Sequence, residues 1–112
     1  MAEPLLMRVS GIPTTPQTVG DMLRLTLWLT DYDSVAVDPG ALTFSYIEPG
    51  GTTATDDVYP SGTIVRDGAG IYTMNLSLDL SGVYRLRWSV APVTDYQGAA
   101  ESTITVADSA FD

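Results

Sequence analysis

The sequence predicts an all-β domain, a sandwich of about seven antiparallel strands in two sheets. Three observations carry this. Apolar and polar residues alternate in short runs, the period of a strand with one face in a core and one in water. Clusters of Gly, Pro, Asp and Ser punctuate those runs every eight to twelve residues or so, the turn spacing of sandwiches and barrels. No segment shows an apolar period of about 3.6 residues, so no helix is expected.

The elements follow in order. Leu5, Met7 and Val9 alternate in a first strand, ended by Ser10-Gly11-Ile12-Pro13. Leu23, Leu25, Leu27 and Leu29 give the cleanest alternation, after a Gly20-Asp21 turn. Leu42, Phe44 and Tyr46 make a third strand, closed by Glu48-Pro49-Gly50-Gly51. Ile64 and Val65 mark a short, weak one, and Thr52 to Thr55 a candidate extra edge. Tyr72, Met74, Leu76 and Leu78 follow Gly68-Ala69-Gly70. Tyr84, Leu86, Trp88 and Val90 alternate next, and Ala100, Ser102, Ile104 and Val106 close the set. Pro13, Pro16, Pro39, Pro49, Pro60 and Pro92 all fall at predicted connections, where a missing N–H costs little. The chain of 112 residues reads as one domain over 1–112, with a core over 5–107 and mobile ends at Met1–Pro4 and Asp108–Asp112.

Composition narrows the chemistry. There is no cysteine, histidine or lysine; the five cations are Arg8, Arg24, Arg66, Arg85 and Arg87. Fourteen carboxylates oppose them, for a net charge of −9. Nucleic-acid affinity rests on cations that neutralise phosphates, so no nucleic-acid partner is expected. No apolar run approaches a membrane span, and Met1-Ala2-Glu3-Pro4 lacks the basic start of a secretory leader, so no membrane and no export are expected. Without histidine or cysteine, the usual nucleophile–base pairs and zinc sites cannot be built. The carboxylates lie in predicted loops with no spacing that suggests glycoside hydrolysis, and neither glycine-rich run opens a helix to hold phosphate. No enzymatic role and no cofactor are expected.

The outward positions carry the remaining signal. Arg24, Thr26, Trp28 and Thr30 face away from the leucines of the second strand. Large amphipathic aromatics concentrate at interfaces, so Trp28 is a binding candidate; equally, a neighbouring strand or loop could cover it, or a bulge turn it inward. Arg85 and Arg87 also point outward together. The plain reading pairs one of them across strands with Glu101. The functional one gives an arginine fork a carboxylate on a partner, and the absence of lysine favours it, since interfaces enrich arginine and deplete lysine. Asp31, Asp33, Asp38, Asp56, Asp57 and Asp95 stand in loops, where they read as turn formers or, on the weaker reading, as part of a calcium site.

The stretch Asp79-Leu80-Ser81-Gly82-Val83-Tyr84-Arg85-Leu86-Arg87-Trp88 resembles the start of the sixth strand of immunoglobulin-like sandwiches. There the tyrosine hydroxyl bonds back to the preceding corner. On that immunoglobulin-like β-sandwich, Leu27 and Leu86 take the positions of the bridging cysteines of antibody domains. With Gly20-Asp21-Met22-Leu23-Arg24-Leu25, Tyr46-Ile47-Glu48-Pro49-Gly50-Gly51-Thr52, Gly70-Ile71-Tyr72-Thr73-Met74 and Ala99-Ala100-Glu101-Ser102-Thr103-Ile104-Thr105-Val106, the chain resembles small accessory proteins of tailed bacteriophage virions. The resemblance implies a capsid cement or decoration protein on the virion surface, made in the host cytoplasm. Its partner would be the major capsid protein or another virion protein, with self-association on the particle in reserve. Arg24, Trp28, Arg85, Arg87, Leu5 and Leu6 are the residues expected to touch the shell. Two alternatives accompany it. One is a tail, neck or head-fibre accessory protein. The other is a carbohydrate-binding adhesion module using Trp28, Tyr32, Tyr59 and Tyr96.

Overall fold

The structure, a computed structural model, describes residues 3–13, 17–90 and 96–108. Ten strands and no helix occur among them: β1 (Glu3–Pro4), β2 (Leu6–Ser10), β3 (Gln17–Thr18), β4 (Met22–Thr30), β5 (Leu42–Ile47), β6 (Thr55–Tyr59), β7 (Val65–Gly68), β8 (Ile71–Ser77), β9 (Gly82–Val90) and β10 (Tyr96–Ala107). They form two sheets. One runs β2-β4-β8-β7. The other runs β6-β5-β9-β10, with β1 and β3 both added to the far side of β10. Every pairing is antiparallel except those of β1 and β3, which run parallel to β10.

The core lies between the sheets and is built from the alternating positions. Leu25, Leu27 and Leu29 from β4 and Tyr72, Met74 and Leu76 from β8 meet Phe44 of β5, Tyr84, Leu86 and Trp88 of β9, and Ile104 and Val106 of β10. Leu27 and Leu86 are both buried. Phe44 and Trp88 pack with ring centroids 4.8 Å apart, within the range of favourable aromatic pairs.

The corner before β9 forms as the sequence predicts. The N–H groups of Asp79 and Leu80 both donate to the Tyr84 hydroxyl, at 3.0 and 3.1 Å. Gly82 makes the corner possible. Its φ is +121°, and a Cβ there would stand 2.6 Å from Cβ of Pro49, so a larger residue is excluded twice over.

Four expectations about the strands are corrected. The extra edge strand is Thr55–Tyr59, sharing only Thr55 with the expected stretch. The weak strand starts at Val65, and Ile64 is buried just ahead of it. The last strand begins at Tyr96, and the parallel additions β1 and β3 were not anticipated. Glu3 and Pro4, expected in a mobile end, are paired in β1, and the Leu5 N–H donates to the Gln97 carbonyl at 3.0 Å. Leu5 is where the chain leaves one sheet for the other, which is why it points into the core. Pro16 and Pro92, expected at connections, lie outside the described residues; Pro13, Pro39, Pro49 and Pro60 are outside strands.

Candidate functional site

The arginines divide by position. Arg8 and Arg24 stand on the outer face of the β2-β4-β8-β7 sheet, and Arg85 and Arg87 on the outer face of the other. None of these four forms an ion pair within 4 Å among the described residues. The ion pair there belongs to Arg66 and Asp38, at 2.9 Å.

On the first face, pairing sets Arg8 opposite Trp28 and Arg24 opposite Asn75. Trp28 is half-buried and faces outward, between buried Leu27 and Leu29. Its cover is the Arg8 guanidinium, 4.8 Å from the ring centroid, a cation–π stack. The two readings of Trp28 therefore merge: the face is outward and the neighbouring strand shields part of it. Arg24 donates from Nε to Asn75 Oδ1 at 3.4 Å. Leu6 and Met22 extend the same face at 42% and 63% exposure. Leu5, expected beside Leu6 at the surface, is only 8% exposed and belongs to the core. Sequence reasoning passed over Arg8, although the alternation of Met7 and Val9 already turns it outward beside Trp28.

On the second face, register sets Glu101 opposite Arg87 and Thr103 opposite Arg85. The expected cross-strand ion pair does not close to 4 Å. A shallow cleft lies between Ser45, Ile47, Ala54, Arg85, Arg87 and Glu101. Asp56 reaches this face too, accepting from Ser45 Oγ at 2.6 Å. The two pairs of arginines thus sit on opposite sides of the molecule, and no single surface unites the predicted contacts.

The aspartates are occupied locally. Asp31 Oδ1 accepts the N–H groups of Asp33 and Val35, at 2.8 and 3.0 Å, which closes the turn after β4. Asp57 accepts from Thr63 N–H and its hydroxyl. Among the described residues no three acidic groups converge as metal ligands. Asp95 lies outside the described residues.

Asp38 departs from the turn-former reading. The segment after the turn returns along β4: Val37 N–H donates to the Leu29 carbonyl, and Leu29 N–H to the Gly70 carbonyl. Asp38 thereby reaches β7 and β8. Its Oδ1 accepts from Arg66 Nε at 3.1 Å, Gly70 N–H at 2.9 Å and the Tyr72 hydroxyl at 2.9 Å, while Oδ2 takes Arg66 Nη2 at 2.9 Å. Gly70 has φ +68°, and a Cβ there would stand 2.5 Å from the Leu29 carbonyl oxygen, so only glycine permits this approach. Hydrogen bonding from Arg66, then from Gly70 and Tyr72, holds the Asp38 carboxyl well below the usual carboxylate range. Burial, reinforced by the bond to Asp38, pushes the Tyr72 hydroxyl well above an ordinary tyrosine.

A hydroxyl with a raised folded pKa contributes stability that is complete below its unfolded value and is lost as pH rises. Urea midpoints are therefore expected to fall from about pH 10 upward. In Tyr72→Phe that alkaline limb should flatten; an unchanged limb would show that other groups cause it.

The three described aromatics of the adhesion reading stand in different settings. Trp28 is on a sheet face, Tyr32 is 65% exposed in the turn after β4, and Tyr59 packs edge-on against buried Tyr72, ring centroids 5.1 Å apart. The Tyr96 side chain lies outside the described residues. No helix among the described residues is long and apolar enough to cross a membrane. No known protein family matches the chain, and no curated protein matches it.

Proposed function

We propose that this chain is an immunoglobulin-like docking module of a bacteriophage virion, acting as a capsid cement or decoration protein. The immunoglobulin-like assignment is supported by strand order. The β2-β4-β8-β7 sheet corresponds to a four-stranded first sheet, and β5-β9-β10 to the facing three, with β6 as an added edge. Tyr84, near the start of β9 and bonded back to its corner, agrees with that topology.

The observation that carries a docking role is the set of four arginines on sheet faces with no ion pair within 4 Å among the described residues, in a chain of fourteen carboxylates. An arginine fork left open on a flat face suits a carboxylate on another protein. Repeated on a shell of identical subunits, many modest contacts add up through multivalency. The resemblance of the strand motifs to phage accessory proteins supplies the shell.

Shells assembled with and without the chain, then heated while DNA release is followed, test the proposal. Decorated shells should release DNA at the higher temperature; equal temperatures overturn the stabilising role. Copy number separates the neck or tail alternative, which requires few copies per particle where cement requires many.

A further inference from the structure

We propose that the outer face of the β2-β4-β8-β7 sheet is the docking face, and that its occupant is an acidic protein surface carrying apolar side chains. Carboxylates of the partner meet Arg8 and Arg24, and its apolar groups cover Trp28, Leu6 and Met22. This deepens the docking reading and rests on it.

Charge distribution selects this face. β2, β4 and β8 contain no Asp or Glu, although the chain as a whole carries −9. The opposite face bears Glu101 and Asp56 as well as its arginines, so its charge is mixed in sign. The acid-free field over β2, β4 and β8, with its two arginines and its tryptophan, has the composition of an interface core, and the sheet's one carboxylate, Asp67, stands on edge strand β7. The arginines are already positioned. Arg8 lies over the Trp28 ring and Arg24 bonds Asn75, so each loses less freedom on binding than an unsupported side chain would. The strand rise puts them roughly 14 Å apart, which sets the spacing of the two carboxylates they would receive.

The same features weigh against other occupants. A second copy packed face to face about a twofold axis would set arginines against arginines. A nucleic acid would meet the two arginines with phosphates but leave exposed Leu6 and Met22 without aliphatic cover.

Amide NMR spectra of the labelled full chain, titrated with a random copolymer of glutamate and tyrosine, test the proposal. Shifts should be confined to β2, β4 and β8. Affinity should fall about tenfold in Arg24→Glu and in the milder Arg24→Gln, and stay unchanged in the Arg85→Glu/Arg87→Glu double variant. Shifts centred on β9 and β10, equal shifts with oligothymidylate, or no shifts overturn the inference. So do concentration-dependent shifts without a probe, which would mean that the face binds the acidic loops of another copy. No virion component enters the titration, so acid recognition and shell decoration stand or fall separately.

Discussion

Asp38→Ala is expected to cost more than loss of the Arg66 or Tyr84 polar groups, at about 3 kcal/mol. The ion pair is not the main reason. Arg66 and Asp38 are both near 40% exposed, and exposed pairs contribute little. What decides the magnitude is the Tyr72 hydroxyl and the Gly70 N–H, both on buried residues, which lose their acceptor together. An orphaned buried polar group costs about 1–3 kcal/mol. A thermal midpoint lower by roughly 15 °C is expected in a scan of the purified variant. Asp38→Asn keeps an oxygen in place and should lose about 1 kcal/mol; Arg66→Gln should lose less than Asp38→Ala. If Arg66→Gln proves the most damaging of the three, the ion pair outweighs the buried donors. The sign of the pH effect follows from the lowered carboxyl. Its stabilising contribution is complete above the unfolded value and is lost as pH falls. Stability should therefore decline below about pH 4, and the Asp38→Asn curve should be flatter there.

Tyr84→Phe is expected to cost about 2 kcal/mol, or roughly 10 °C in midpoint, with the fold retained. The ring still fills its place between the sheets, so no cavity opens. The loss is the oxygen that accepts two N–H groups at the corner leading into β9. Hydrogen exchange at Asp79 and Leu80 should quicken more than exchange in β4. A uniform change across both sheets would instead indicate a packing defect.

These two sites mark what could and could not be read from the chain. The Tyr84 corner is local: donors and acceptor lie within five residues, and Asp79, Ser81 and Gly82 announce the turn. The long strands were equally legible, because burying one face fixes the alternation of Leu23 to Leu29 and of Tyr84 to Val90. Asp38 was not, since its partners are 28 to 34 residues away and nothing near it distinguishes it from Asp31 or Asp33. β6 was misplaced because Asp56 and Asp57 resemble loop residues. Their bonds to Ser45 and Thr63 accommodate them in an edge strand, where charge also deters unwanted pairing. β1 and β3 are two residues each, and their parallel pairing with β10 depends on sheet geometry that no local pattern encodes. At the candidate site, the outward direction of Trp28, Arg24, Arg85 and Arg87 was legible from alternation. The stacking of Arg8 on Trp28 required the register between β2 and β4.

The parallel pairing of β1 and β3 with β10 has a mechanical consequence. Glu3 lies beside Tyr96 at the start of β10, while the chain departs past Ala107 at its other end, roughly 37 Å away by the rise per residue. Tension applied between the two ends of the domain acts along the strands. It strains the flanking hydrogen bonds sideways and together, where an antiparallel terminal hairpin would peel open one rung at a time.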